Sequence, residues 1–141
     1  MISALGGAPL TLQISDYYEA LARGTPGWVP EVIAGAPGQP TVAFFTGCGI
    51  NYMYPAIGEA FLKALRFLGV TIIIPKDQAC CGLPAVSAGA AGTVEQLAEQ
   101  NLAALSRRPV DFVVTACASC NAGVGKIYAE MSNRAQYELV L

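Results

Sequence analysis

Five cysteines carry the chemistry open to this sequence: Cys48, the adjacent pair Cys80 and Cys81, and Cys117 with Cys120 in a CxxC arrangement. The chain has no histidine, so any soft metal centre here would be held by thiolates alone, which suits either zinc or an iron–sulfur cluster. A structural zinc site closes with four ligands in a tetrahedron. Five cysteines exceed that need by one, which tilts the reading towards a centre with several irons unless one sulfur is spare. A single free cysteine usually packs as a small buried hydrophobe, but five in CC and CxxC patterns form a different kind of signal. The CxxC alone would suit a thiol–disulfide redox site, with a helix start lowering the pKa of Cys117. That reading leaves Cys48, Cys80 and Cys81 without a role. A disulfide between Cys80 and Cys81 would be strained, and disfavoured in a reducing compartment.

The elements that must position these sulfurs alternate from Thr41 onward. Val42 to Phe45 is a short continuous apolar run, the pattern of a strand buried on both faces. Pro55 suits the first turn of a helix whose stripe is Ile57, Phe61, Ala64, Leu65 and Leu68, ending at Gly69. Val70 to Ile74, β-branched throughout, predicts a second strand. After the Cys80-Cys81-Gly82 turn and Pro84 comes a small-residue stretch, Ala85 to Ala91. Thr93 with Gln96 reads as a capping box opening a helix to about Ser106. Val110 to Thr115 predicts a third strand. A further helix follows, with Val124, Ile127, Tyr128 and Met131 on one face, and Tyr137 to Leu141 begins like a fourth strand. Strands alternating with helices imply a parallel sheet covered on both faces, whose ligands bind beyond the carboxyl ends of the strands. Cys48 follows strand one, Cys80 and Cys81 follow strand two, and Cys117 and Cys120 follow strand three, so the topology gathers all five on one rim. The fold expected is an α/β, three-layer Rossmann-like domain with a mostly parallel sheet of about four strands.

The residues around the cysteines have uses of their own. Gly47, Gly49 and Gly82 allow close backbone approach and sharp turns, so that N–H groups can face sulfur. Helix starts near Pro55, Pro84 and Ser119 would direct positive dipole ends at the same place. Asp77 and Gln78 read equally as orienting groups or plain turn residues. Tyr52, Met53 and Tyr54 read as a shield over the centre or as core packing. Lys76 and Lys126 are best read as solvated surface charge, with steering of an anionic partner the sharper alternative. The carboxylates are scattered, with no paired acid and base. No catalytic side chain is assigned, and Gly47-Cys48-Gly49 does not match a dinucleotide fingerprint.

With 141 residues, 54% of them hydrophobic, only 13% charged and a net charge of −2, the chain is apolar for a soluble protein. It has no basic footprint for nucleic acid and no polybasic membrane patch. No apolar run approaches the roughly 18–20 residues of a membrane span. Met1 to Leu12 lacks a positively charged lead-in, so no signal peptide is read. An odd cysteine count then points to a reducing, cytoplasmic setting, with any membrane association made through partner subunits. The low charge also implies apolar surface covered by another domain or subunit. Residues 1–40 read as a separate lead-in: Ser15 caps a short helix, Asp16 to Arg23, and Gly24 to Pro40 is an irregular Pro/Gly-rich connector. Residues 41–141 form the cysteine-bearing domain.

The full pattern is Cys48, 31 intervening residues, Cys80-Cys81-Gly82, 34 intervening residues, then Cys117-x-x-Cys120. Flanking words are Phe45-Thr46-Gly47-Cys48, Tyr54-Pro55, Gln78-Ala79-Cys80-Cys81-Gly82-Leu83-Pro84 and Ala116-Cys117-Ala118-Ser119-Cys120. Over about residues 41–130 this resembles the CCG cysteine-rich domain found in heterodisulfide reductases and in the iron–sulfur subunits of glycolate and lactate oxidases. The resemblance implies a noncubane [4Fe–4S] cluster ligated by Cys48, Cys80, Cys81, Cys117 and Cys120, some bridging two irons. Some family members lack one or more of these cysteines; here none is missing. Zinc-holding CCG domains also exist, which keeps a structural or assembly module as the alternative. The implied role is electron transfer within an oxidoreductase complex, with a flavoprotein, a ferredoxin-type domain or a second CCG domain as partners. The family's usual architecture has two CCG domains, often after a ferredoxin-like domain. This chain has one copy and no ferredoxin cysteine run, so it reads as a fragment of a longer protein.

Overall fold

A computed structural model describes residues 30–128 and, for the backbone, 138–140. The helix expected at Asp16 to Arg23 and the position of Met131 lie outside the described residues. Five strands form one open sheet in the order β1-β3-β2-β4-β5. They are β1 (Val32–Ile33), β2 (Thr41–Phe44), β3 (Thr71–Ile73), β4 (Phe112–Val114) and β5 (Glu138–Val140). The pairs β2–β3, β2–β4 and β4–β5 are parallel, and only β1 runs antiparallel, against β3. The expected parallel sheet is therefore present, with a short edge strand added. That strand lies inside the stretch read as irregular connector. Its two residues, Val32 and Ile33, pair with Ile73 and Ile72, and an edge position tolerates the surrounding Pro and Gly.

Alternation along the central strands explains the three layers. Successive side chains point to opposite faces, so Val42 and Phe44 enter one core while Ala43 and Phe45 enter the other. The first core is closed by α1 (Pro55–Phe67) through Leu62 and Leu65, with Ile72, Ile74 and Val114 from the sheet. Phe44 meets Phe61 of α1 with ring centroids 5.1 Å apart at a tilted angle. The second core is closed by two helices that follow α2 (Leu83–Ser87) in the chain. They are α3 (Ala91–Leu105), through Leu97 and Leu105, and α4 (Ala118–Ala122), through Cys120.

The helices depart from expectation in four places. The buried stripe of α1 is Gly58, Leu62 and Leu65, whereas Ile57 and Leu68 are exposed. A glycine in the stripe conceals it from an apolar count. Helix α3 begins at Ala91 with Ala90 as its cap residue and no side-chain cap bond, so Thr93 sits inside the helix rather than opening it. The small-residue stretch contributes to a helix of its own, α2. The helix expected to carry Val124 and Ile127 is a π-helical turn, Gly123–Ile127, continuing α4.

Candidate metal centre

Each cysteine sits where a strand gives way to a turn or a helix start. Cys48 caps a π-helical turn, Gly49–Met53, that leads into α1. Gly82 caps α2 with φ +85, a left-handed conformation that a β-branched residue there could adopt only under strain. Cys117 caps α4 in an extended conformation, and its N–H donates to Thr115 Oγ1 at 3.3 Å. Helix starts at the Cys80–Cys81 and Cys117 corners favour thiolate character.

The structure brings the five sulfurs into one row. Cys80 donates to Cys48 across 3.6 Å, joining the loops after β2 and β3. Cys81 interacts with both Cys80 and Cys120, and Cys120 with Cys117. Cys81 Sγ also lies 3.8 Å from the Ser119 carbonyl oxygen. All five are free thiols; Cys80, Cys81 and Cys120 are buried, while Cys48 and Cys117 are half-buried. Among the described residues no three Cys, Asp or Glu side chains close on a point as a single-ion shell would require.

Protons are shared unevenly along this row. The hydrogen bond from Cys80 lowers Cys48 to about 7, against the opposing effect of burial. Hydrogen bonds from Cys120 and then Cys80 lower Cys81 to about 3. Cys80 and Cys120 are pushed up as the donors in those same contacts, with burial adding to the rise. From Cys48 through Cys80 and Cys81 to Cys120, lowered and raised groups alternate, the pattern expected where burial and mutual repulsion prevent neighbouring sulfurs from ionising together.

The donor set suits an iron–sulfur group, and two glycines let the sulfurs pack close against the backbone. Gly47 has φ +61, and a Cβ there would lie 2.4 Å from Cys120 Sγ. A Cβ on Gly123 would lie 2.9 Å from the Cys81 Cβ and 3.2 Å from its sulfur. Two positions beside the row are therefore kept bare of side chain. Thr46 Oγ1, in the loop leading to Cys48, is buried without a hydrogen-bond partner among the described residues.

Three buried side chains hold the loops, and sequence reasoning reached only one of them. Gln78, read as either an orienting or a plain turn residue, accepts from the Thr46 N–H at 2.8 Å and donates to the Pro75 carbonyl at 2.9 Å and the Phe44 carbonyl at 3.3 Å. It thereby fixes the Cys48 loop to the Cys80 loop. Asn101 of α3 accepts from the Ala79 N–H at 2.6 Å and donates to the Cys80 carbonyl at 2.9 Å and the Tyr128 hydroxyl at 2.8 Å. Tyr128 donates to the Cys81 carbonyl at 3.0 Å, and burial holds its phenol above the usual range. Asn101 carried no functional expectation from the sequence; Tyr128 figured only as one position of a helical face. The signal available was an asparagine in an apolar i, i+4 series, Leu97-Asn101-Leu105.

Other candidates settle differently. Asp77 pairs with Arg107 at the exposed surface, and its carbonyl accepts from Gln100 at 2.9 Å. Tyr52, Met53 and Tyr54 are not core residues: they are 47%, 65% and 57% exposed, beside the Cys48 turn. Lys76 and Lys126 are exposed. Among the described residues no helix is long and apolar enough to cross a membrane.

Known proteins are similar to this chain across its cysteine-bearing part. The family model for the CCG cysteine-rich domain matches residues 42–125. An uncharacterized iron–sulfur protein of Methanococcus maripaludis is 42% identical over 89 residues, covering 63% of this chain and 18% of the relative. A fumarate reductase (CoM/CoB) subunit of Methanothermobacter marburgensis is 39% identical over 98 residues, 70% of this chain and 19% of that protein. A probable glycolate oxidase iron–sulfur subunit of Bacillus subtilis is 38% identical over 97 residues, 69% of this chain and 21% of that protein. The chain thus spans about a fifth of the length of these relatives. No solved structure matches. With its sulfurs at the strand ends and more than half its length matched, the chain belongs to the CCG cysteine-rich domain family.

Proposed function

We propose that this chain is an electron-carrying iron–sulfur module of an oxidoreductase complex, with Cys48, Cys80, Cys81, Cys117 and Cys120 ligating a noncubane [4Fe–4S] cluster. One observation carries the reading: sulfurs from three loops, far apart in sequence, form a single contiguous row. An extended row of five suits a centre with several metal atoms better than one tetrahedral ion. The relatives named as iron–sulfur proteins and subunits support the same assignment. When bound, such a cluster supplies one-electron transfer at a potential set by its ligands, the hydrogen bonds to sulfur and burial. The protein's part is to bring the thiolates together, bury three of them, and keep Gly47 and Gly123 clear of the space beside them.

The partners in this reading are other redox subunits or domains: a flavoprotein, a ferredoxin-type domain or a second CCG domain. The exposed Tyr52, Met53 and Tyr54 give such a partner an apolar surface next to Cys48. Free thiols favour a reducing compartment such as the cytoplasm. Purification under strict anaerobiosis followed by iron, zinc and sulfide analysis tests the assignment. The expected product is brown, with iron and sulfide in equal amounts. A colourless protein carrying zinc would instead establish a structural module and end the electron-transfer reading.

A further inference from the structure

Asn101 and Tyr128 stand out as polar residues among the most deeply buried in the protein, at 0% and 1% exposure. Neither is a candidate ligand. Their hydrogen bonds converge on consecutive backbone groups of the cysteine turn: the Ala79 N–H, the Cys80 carbonyl and the Cys81 carbonyl. Hydrogen-bonded as they are, the two buried side chains hold these three backbone groups in fixed orientation.

Peptide planarity shows what the clamp controls. In a trans peptide the carbonyl of one residue and the N–H of the next point in opposite directions, and the described chain has no cis peptide. Holding the Cys81 carbonyl towards Tyr128 therefore turns the Gly82 N–H the other way, to the side of the Cys80 sulfur. Holding the Cys80 carbonyl towards Asn101 likewise turns the Cys81 N–H towards the Cys81 sulfur. The Leu83 N–H, which follows the left-handed Gly82, lies on the side of the Cys81 sulfur. The two side chains, themselves joined by the Asn101–Tyr128 hydrogen bond, thus set the direction of N–H groups that face the sulfurs.

We infer that Asn101 and Tyr128 are positioning residues that tune the centre's reduction potential by aiming backbone N–H groups at the Cys80 and Cys81 sulfurs. This role presupposes the cluster assignment above. N–H donation to sulfur stabilises the more negative, reduced state, so the clamp raises the potential. Buried thiolates without such donors would favour the oxidised state. The effect passes through the backbone of the turn rather than through a change of ligand.

The test uses the anaerobically purified, cluster-loaded protein and three variants: Tyr128→Phe, Asn101→Asp and Leu105→Ala. Phe removes one hydroxyl, and Asp keeps the acceptor for Ala79 while losing both donors. Leu105 belongs to the same core but makes no part of the clamp, so it controls for general destabilisation. Readouts are iron content, potential by EPR-monitored titration, and Fe–S vibrational bands by resonance Raman. Tyr128→Phe and Asn101→Asp are expected to shift the oxidised-to-reduced ratio at fixed poise about tenfold towards oxidised, ~59 mV for one electron. Leu105→Ala is expected to keep the wild-type potential. Loss of iron from the clamp variants, with Leu105→Ala loaded at comparable stability, would equally support positioning. Wild-type potential and vibrational bands in both clamp variants would overturn the inference, as would equal iron loss in all three. A wild-type protein devoid of iron would remove the cluster assignment and this inference together.

Discussion

The two faces of the sheet are built on different principles. On the α1 face Val42, Phe44, Leu62, Leu65, Ile72 and Ile74 form the core, with the half-buried Cys117 packed at its edge. On the opposite face Ala43, Phe45, Leu97, Leu105 and Val113 share the interior with Cys80, Cys81 and Cys120, braced by Asn101 and Tyr128. The first face gains its cohesion mainly from buried apolar area. The second places soft nucleophilic atoms and holds them with directed hydrogen bonds, which is how a fold separates its scaffold from its chemistry.

Substitutions on the two faces should therefore fail in different ways. The largest effect is expected from Gly47→Val, which forces a β-branched residue into φ +61 and aims its Cβ to within 2.4 Å of Cys120 Sγ. The backbone strain and overpacking together cost about 3–5 kcal/mol, and anaerobic iron content should fall to near background. Leu65→Ala, on the apolar face, should cost about 2–4 kcal/mol in denaturant unfolding while iron per folded chain stays unchanged. If that variant loses iron as Gly47→Val does, the separation of the faces is wrong.

Smaller effects sharpen the same contrast. Gln78→Leu leaves the buried Thr46 N–H without its acceptor and should cost about 1–3 kcal/mol. Because it unties the Cys48 loop from the Cys80 loop, it should also slow iron–sulfur reconstitution in vitro. Asp77→Asn removes the charge partner of Arg107 in a pair whose side chains are 52% and 64% exposed. Its effect on thermal unfolding should lie below about 1 kcal/mol and shrink further in salt. Ile57→Ser, at a half-exposed position of α1, should change stability by no more than about 0.5 kcal/mol.

Much of the fold was legible because its signals are local. Short apolar runs, β-branched in Val70 to Ile74, marked the parallel strands, Pro55 marked the start of α1, and the cysteines fell after strand ends, so the rim on which they meet followed from topology. What escaped was decided by long-range partners. Val32 and Ile33 are a strand only because Ile72 and Ile73 lie beside them. The stripe of α1 turned on Gly58, which an apolar count passes over. Thr93 offered a capping pattern, but the helix had already begun at Ala91. Asn101 looked like an ordinary polar helix residue; its partners are backbone groups of Ala79 and Cys80 more than 20 residues away, and backbone partners leave no trace in side-chain patterns.

The central claim is that five sulfurs from three loops serve one inorganic centre, and the most direct measurement is the EPR spectrum of the anaerobic protein across five single variants, Cys48→Ser, Cys80→Ser, Cys81→Ser, Cys117→Ser and Cys120→Ser. Each substitution should alter the line shape or abolish the signal, with iron content reduced in step. Any one variant that keeps the wild-type spectrum and full iron content would show that its sulfur is not a ligand and contradict the account.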